Sequence, residues 1–164
     1  MITRRNLLLG VLLTLSGCIG GKSEEQRARE AAAGFWNENS GEFEEAQSNL
    51  EEARQLYRSE SFSEAQQMAL EAEFKYTALA GEASDRRDSA DSEYERELFG
   101  LIYEIANNGA VAANHLKDVS TGHSTWIEDT NTGQERIQMH ENKFEEHINR
   151  QNRAVDELLS ELES

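Results

Sequence analysis

Two apolar stripes of matching period, joined by a short polar connection, constrain the fold more than any other feature of this sequence. In residues 42–58 and again in residues 61–83, apolar side chains recur at alternating steps of three and four. The first stripe is Phe43, Ala46, Leu50, Ala53 and Tyr57, and the second is Phe62, Ala65, Ala69, Ala72, Tyr76, Leu79 and Ala83. This spacing places each set on one face of an α-helix. Because residues 58–61 leave room only for a tight connection, the sequence predicts a long antiparallel helical hairpin.

The remaining sequence also favours helices, since it contains no proline and is rich in strong helix formers. A helix is predicted from Ser23 to about Trp36, ended by the turn-forming residues 37–41. The most apolar helix, within residues 98–116, is predicted to be central, and residues 107–109 would kink or split it. An irregular stretch from Val119 to Thr132 then precedes a last helix. Ser61 and Glu64 match a capping box at the start of the second hairpin helix.

These elements predict an all-α fold, a bundle of four or five helices built on a long antiparallel helical hairpin. Residues 23–164 would form a single acidic helical domain. The hairpin resembles one tetratricopeptide-type repeat at small and apolar packing positions. These positions are Ala53, Leu56, Phe62, Ala65, Ala69 and Ala72. No second copy of the pattern occurs one period away, and solenoids need several repeats. A tetratricopeptide-like helix pair is therefore predicted, with a degenerate peptide-binding repeat protein as the alternative.

The first 21 residues have a different character from the rest of the chain. Arg4 and Arg5 precede an apolar run at residues 7–13, and small residues lead to Cys18. This order of basic, apolar and small residues is typical of a secretory signal. The apolar run is too short to span a membrane, which takes roughly 20 residues.

Two short motifs in this segment resemble known export and lipidation signals. Residues 3–8, with Arg4 and Arg5, resemble a twin-arginine export signal. The lipobox-like residues are Leu15, Ser16, Gly17 and Cys18. The resemblance implies that residues 1–17 are a signal peptide and residues 18–22 a lipidated cysteine with a short tether. The protein would then be lipid-anchored at the cell membrane, facing outside. The alternative is an uncleaved anchor with an incidental cysteine.

The charge balance narrows the range of partners. The chain has 32 acidic and 16 basic residues, a formal net charge of −16. Such a surface repels nucleic acid and anionic headgroups, so neither is expected as a ligand. At molar salt the Debye length falls to about 3 Å, which removes most of the self-repulsion. An acidic, lysine-poor chain with this leader resembles exported lipoproteins of halophilic archaea, and an ordinary acidic lipoprotein is the alternative.

Motifs that carry catalysis or bind cofactors are missing from the sequence. It contains no phosphate loop, dinucleotide fingerprint or zinc-protease motif, and no cofactor is expected. His140 and His147 lie seven residues apart on one helical face, and with Glu141 they would form a metal site only at the bundle edge. His115 precedes the irregular stretch and His123 lies within it, and no nucleophile motif accompanies them. We therefore expect no metal site, no catalytic residues and no enzyme activity.

The loop tryptophan and a neighbouring histidine are the candidate binding surface. Trp126 lies in a polar segment, where it either closes the end of the core or serves as an exposed aromatic anchor, and His123 is three residues away. The leading expectation is a non-enzymatic interaction module or scaffold for other envelope proteins. The alternative is a small-ligand or cation-binding bundle accessory to a transporter, with a cavity lined by Trp126, His115 and Tyr103.

Overall fold

The structure, a computed structural model, describes residues 22–125 and 131–163, and its elements are four long helices. They are α1 (Glu24–Arg58), α2 (Phe62–Asp88), α3 (Glu93–Thr125) and α4 (Asn131–Glu163). The described part of the chain contains no strand. The predicted fold class, an all-α bundle of four or five helices, is confirmed with four.

The predicted break at residues 37–41 is wrong, because α1 continues through it. The polar side chains there bond within the helix: Asn39 Nδ2 donates to the Phe35 carbonyl at 2.9 Å, and Ser40 Oγ donates to the Asn37 carbonyl at 3.0 Å. On the opposite face, the rings of Trp36 and Phe43 pack with centroids 4.6 Å apart. Burial of these rings outweighs the weak helix propensity of the polar residues between them.

The hairpin connection between α1 and α2 is as tight as the stripes require. Glu60 adopts a left-handed conformation with φ of 63°, which reverses the chain within three residues. The predicted capping box is absent, because the Ser61 side chain makes no cap hydrogen bond. By contrast, Ser23 Oγ accepts from the Gln26 amide at 3.1 Å at the start of α1.

Helix α3 continues without a break through both positions where the sequence pattern predicts an interruption. Residues 107–109 continue as regular helix, and so do residues 119–125, so the expectations of a split helix and of an irregular segment at these positions are wrong. Ser92 starts α3 as its N-cap, and its Oγ accepts from the Glu95 amide at 3.0 Å. Trp126 lies outside the described residues, and α4 has begun by Asn131.

Helix α3 is the centre of the bundle, as its apolar composition predicts. It packs against α1, α2 and α4, whereas α1 and α4 touch at few points. At Gly109, α3 is contacted from both sides: an added Cβ would lie 2.6 Å from Gln151 Nε2 of α4 and 2.7 Å from the Tyr76 ring of α2. The glycine therefore lets side chains from two non-adjacent helices meet across α3.

No helix in residues 22–125 or 131–163 is both long and apolar enough to cross a membrane. The proposed export and lipidation residues lie outside the described part of the chain. These are Arg4, Arg5, Leu15, Ser16, Gly17 and Cys18.

Candidate functional site

The four histidines of the chain all lie on the two facing helices α3 and α4. His123 is near the end of α3, half-buried, beside the hairpin connection of α1 and α2. Its ring stacks in parallel on Phe62 at a centroid distance of 4.4 Å. The candidate residue His123 is thus partly covered by packing, while its predicted neighbour Trp126 lies outside the described residues.

A hydrogen-bonded chain of three side chains joins α1, α4 and α3 at this end of the bundle. The Tyr57 hydroxyl donates to Glu141 Oε1 at 2.7 Å and lies 2.9 Å from His123 Nε2. Because the hydroxyl has one hydrogen, and Glu141 accepts it, the contact with His123 requires the histidine Nε2–H to donate. Glu141 is therefore engaged with Tyr57.

A second group, the histidine cluster, consists of His115, His140 and His147. The Nδ1 atoms of His115 and His140 are 3.2 Å apart, so one ring donates to the other. His147 stacks on His115 with centroids 5.8 Å apart, and its Nδ1 donates to Asn108 Oδ1 at 2.9 Å. Asp118 Oδ2 lies 3.9 Å from His140 Nδ1. Because one Nδ1 donates and the other accepts, the two Nδ1 atoms that form this hydrogen bond cannot both carry a proton.

Burial and neighbouring positive charges disfavour protonation of two members of this cluster, His115 and His147. Burial lowers the pKa of His115, the charges of His140 and His147 lower it further, and Asp118 opposes them. Burial also lowers the pKa of His147, with a further contribution from Arg150. A lowered pKa in the folded state means that the unfolded chain takes up protons first. The contribution to stability is therefore complete above the ordinary histidine pKa of about 6.5 and is lost as pH falls through the lowered values.

The sequence pairings of histidines differ from those in the structure. His140 and His147 do share one face of α4, as predicted, but His115 joins them, whereas sequence reasoning placed it with His123. In the described ranges no group of three or more histidine, cysteine or acidic side chains has a geometry that would hold a metal ion.

A groove runs between α1 and α4, where these helices barely touch. Its floor is apolar and includes Leu116, Val119 and Phe144. The Arg54 guanidinium crosses it to pair with the Glu145 carboxylate and also lies 5.3 Å from the Phe144 ring centroid. The cavity expected from Trp126, His115 and Tyr103 is not assembled in the described part: His115 packs in the histidine cluster, and Tyr103 lies under Arg87.

Between residues 63 and 81 the outward face of α2 carries a stripe without charge, which we call the α2 outer stripe, and the exposed Asp85 and Asp88 follow it on the same face. It consists of Ser63, Gln66, Gln67, Leu70, Phe74, Thr77, Ala78 and Gly81, all exposed. At about 100° per residue these positions fall within an arc of roughly 120°, opposite the buried face of the helix. Phe74 is 75% exposed and Leu70 53% exposed. On α1, by contrast, most exposed positions are charged.

Two of these features carried a signal that the sequence reasoning did not use. Leu70 and Phe74 are spaced four apart but lie off the apolar stripe of α2, so they had to face away from the hairpin partner. His115 and His140 lie at nearly equal distances in sequence from the connection at residues 126–130, as do Asn108 and His147. An antiparallel α3–α4 pair therefore brings both pairs together, provided that α3 is recognised as helical to its end.

Comparisons with known protein families, curated proteins and solved structures found no match for this chain. The fold class, the polar groups between the helices and the exposed stripe are therefore the basis for a functional proposal.

Proposed function

We propose that this chain is a membrane-anchored extracytoplasmic lipoprotein that acts as a non-enzymatic protein-interaction module or scaffold. The observation that carries the proposal is the α2 outer stripe. In a chain with 29% charged residues, the most solvent-directed face of a helix exposes Leu70 and Phe74 among neutral side chains. Leu70 and Phe74 lie one helical turn apart and form a small apolar patch rimmed by polar residues, and this patch supports an interaction role.

The anchor in this proposal rests on the leader segment. Lipidation at Cys18 would give the single cysteine a role and would hold the domain on a tether of a few residues. A two-chain lipid provides stable attachment, whereas a single acyl chain binds only marginally. The acidic surface supports an environment of high salt, in which self-repulsion is screened.

Membrane fractionation in a high-salt host tests the anchor. The wild-type chain is expected in the membrane fraction and the Cys18→Ser variant in the soluble extracytoplasmic fraction. Replacing Arg4 and Arg5 with lysine is expected to retain the precursor in the cytoplasm if the twin-arginine route is used. Wild type and the cysteine variant both remaining cytoplasmic would contradict export and lipidation together.

Affinity isolation of matched variants tests the interaction role. Phe74→Glu places a charge in the α2 outer stripe, and Ala31→Glu places the same charge at an exposed position of α1. Envelope proteins that co-purify with wild type and with Ala31→Glu, but not with Phe74→Glu, are the expected result. An identical set of proteins with both variants would refute a role for the stripe.

The groove between α1 and α4 favours a second candidate function, a small-ligand or cation-binding bundle accessory to a transporter. Its volume of about 310 Å³ is at the lower end of the range of small-molecule sites. A ligand that binds the folded state raises the melting temperature. A screen of small organic solutes and metal cations should therefore give a thermal shift that Arg54→Ala reduces for an anionic ligand and enlarges for a cation, because the variant removes a positive charge from the groove and leaves Glu145 unpaired. A uniformly flat screen would contradict this candidate.

A further inference from the structure

We propose that the α2 outer stripe is a self-association surface, on which α2 of a second copy of this chain packs antiparallel. This inference rests on the proposed function, because it names one partner of the same surface. The stripe runs from Ser63 to Gly81 and is bounded on one edge by the carboxylates of Glu64, Glu71 and Glu82.

The arrangement of side chains along the stripe is self-complementary. A two-fold axis at the level of Ala72 relates the eight stripe positions to one another. Phe74 then meets Leu70 of the other copy, and Ser63 meets Gly81. The middle pairs are Gln66 with Ala78 and Gln67 with Thr77. Symmetric dimers require one surface patch that contacts itself in this way.

The sizes of the paired residues permit close contact. The two large side chains meet near the axis, and small residues occupy the end of the stripe around Gly81, where an added Cβ meets no atom within 4 Å. Large residues at the centre with small or polar ones around them are the usual anatomy of a helix–helix contact in water. The interior face of α2 is occupied by the core, and the other exposed positions between residues 63 and 82 carry carboxylates, so the stripe is the uncharged face that a second helix can contact.

The area of the stripe sets the strength of the association. Between Ser63 and Gly81 it is about 27 Å long, and at a helix width of about 10 Å it offers roughly 270 Å². A stable interface buries about 800 Å² on each partner. The dimer is therefore weak in dilute solution and forms when two copies are held close together, as they would be on anchors in one membrane.

The bordering charges give the dimer a distinctive salt dependence. Near the axis, Glu71 of one copy approaches Glu71 of the other, and each copy has a net charge of −16. Salt screens this repulsion and strengthens the apolar contact. Self-association therefore increases with salt, opposite to an association driven by charge complementarity.

Cysteine cross-linking of the full-length chain in native membranes tests the register. Copies carrying Ser63→Cys and Gly81→Cys are co-expressed with different tags and treated with a short thiol cross-linker. The mixed pair is expected to cross-link at least about tenfold more than two Ser63→Cys copies, whose thiols lie about 27 Å apart in the antiparallel register. Wild type, with Cys18 alone, and Glu51→Cys on exposed α1 are controls.

Two further measurements decide the proposal. Adding Phe74→Glu to both copies is expected to reduce the mixed cross-link roughly tenfold or more, because a charge would be buried at the contact. Raising the salt is expected to increase it. Strong cross-linking of two Ser63→Cys copies, or a yield insensitive to Phe74→Glu, would overturn the proposal. Absence of cross-links from a membrane-bound chain that still captures envelope proteins through Phe74 would overturn self-association while leaving the proposed function intact.

Discussion

Gly109→Ala is expected to destabilise the bundle although alanine is the better helix former. A Cβ at position 109 would lie 2.6 Å from Gln151 Nε2 and 2.7 Å from two carbons of the Tyr76 ring. Neither neighbour can retreat without loss. Tyr76 is 1% exposed, and burial raises its pKa to about 12 against the effect of its hydrogen bond with Gln151. The Gln151 amide also donates to the Ile105 carbonyl at 3.1 Å.

The expected change in the free energy of unfolding is the sum of two opposing effects. Replacing a mid-helix glycine with alanine gains about 0.5–1 kcal/mol, whereas overpacking a filled site costs about 1–3 kcal/mol. Gly100 lies on the same helix, and a Cβ there would meet no atom within 4 Å. Gly100→Ala therefore isolates the first effect, the gain in helix propensity. The two variants should therefore differ by the overpacking cost alone. At about 2–4 °C per kcal/mol for a domain of about 150 residues, Gly109→Ala should melt about 2–12 °C below Gly100→Ala.

Thermal unfolding of the full-length chain followed by circular dichroism at constant high salt measures this difference. Denaturant unfolding of wild type and of the two variants checks that the transition stays cooperative. Equal stability of Gly109→Ala and Gly100→Ala would refute the argument that Tyr76 and Gln151 meet across α3 with no space to spare.

Three further changes probe other contacts. Lowering the pH from 7 to 5 should reduce the free energy of unfolding, because the pKa of His115 is lowered by burial. Denaturant titrations at both pH values measure this reduction, which should be smaller in the His115→Gln variant. Tyr57→Phe removes hydrogen bonds to Glu141 and His123 and should cost about 1–2 kcal/mol in urea unfolding; an unchanged midpoint would contradict the bonded chain. Ser92→Ala should cost about 1 kcal/mol through the lost N-cap, whereas Ser61→Ala, which removes no cap bond, should leave the melting temperature within a degree or two.

The hairpin of α1 and α2 is predictable from the sequence because its information is local. The stripes from Phe43 to Tyr57 and from Phe62 to Ala83 define both buried faces, and the residues between them allow one turn. The break predicted at residues 37–41 is wrong because single-residue propensity is weaker than burial of Trp36 and Phe43 on the same helix. The polar side chains find acceptors on the preceding turn and leave the helix intact.

The polar groups between α3 and α4 are predictable only in part. The spacing of His140 and His147 places them on one face, but their partners lie on another helix and depend on the register of the pair. That register follows once α3 is known to continue to Thr125, and the glycine and hydroxyl residues near its end concealed this. Asn108 and Gly109 read as a helix breaker, although in the structure Asn108 accepts from His147 and Gly109 provides space.

The order in which the helices pack has a consequence for folding kinetics. Most of the packing is between helices that are consecutive in the chain, α3 packs more extensively on α2 than on α4, and α4 depends almost wholly on α3. Contacts between sequence neighbours give a low contact order, and helical bundles of this kind fold within microseconds to milliseconds. Nearest-neighbour packing also lets α4 separate from α3 while the first three helices keep their mutual contacts. Amide hydrogens of α4 should then exchange faster than those in the middle of α3, through opening of one helix at a lower free energy than global unfolding.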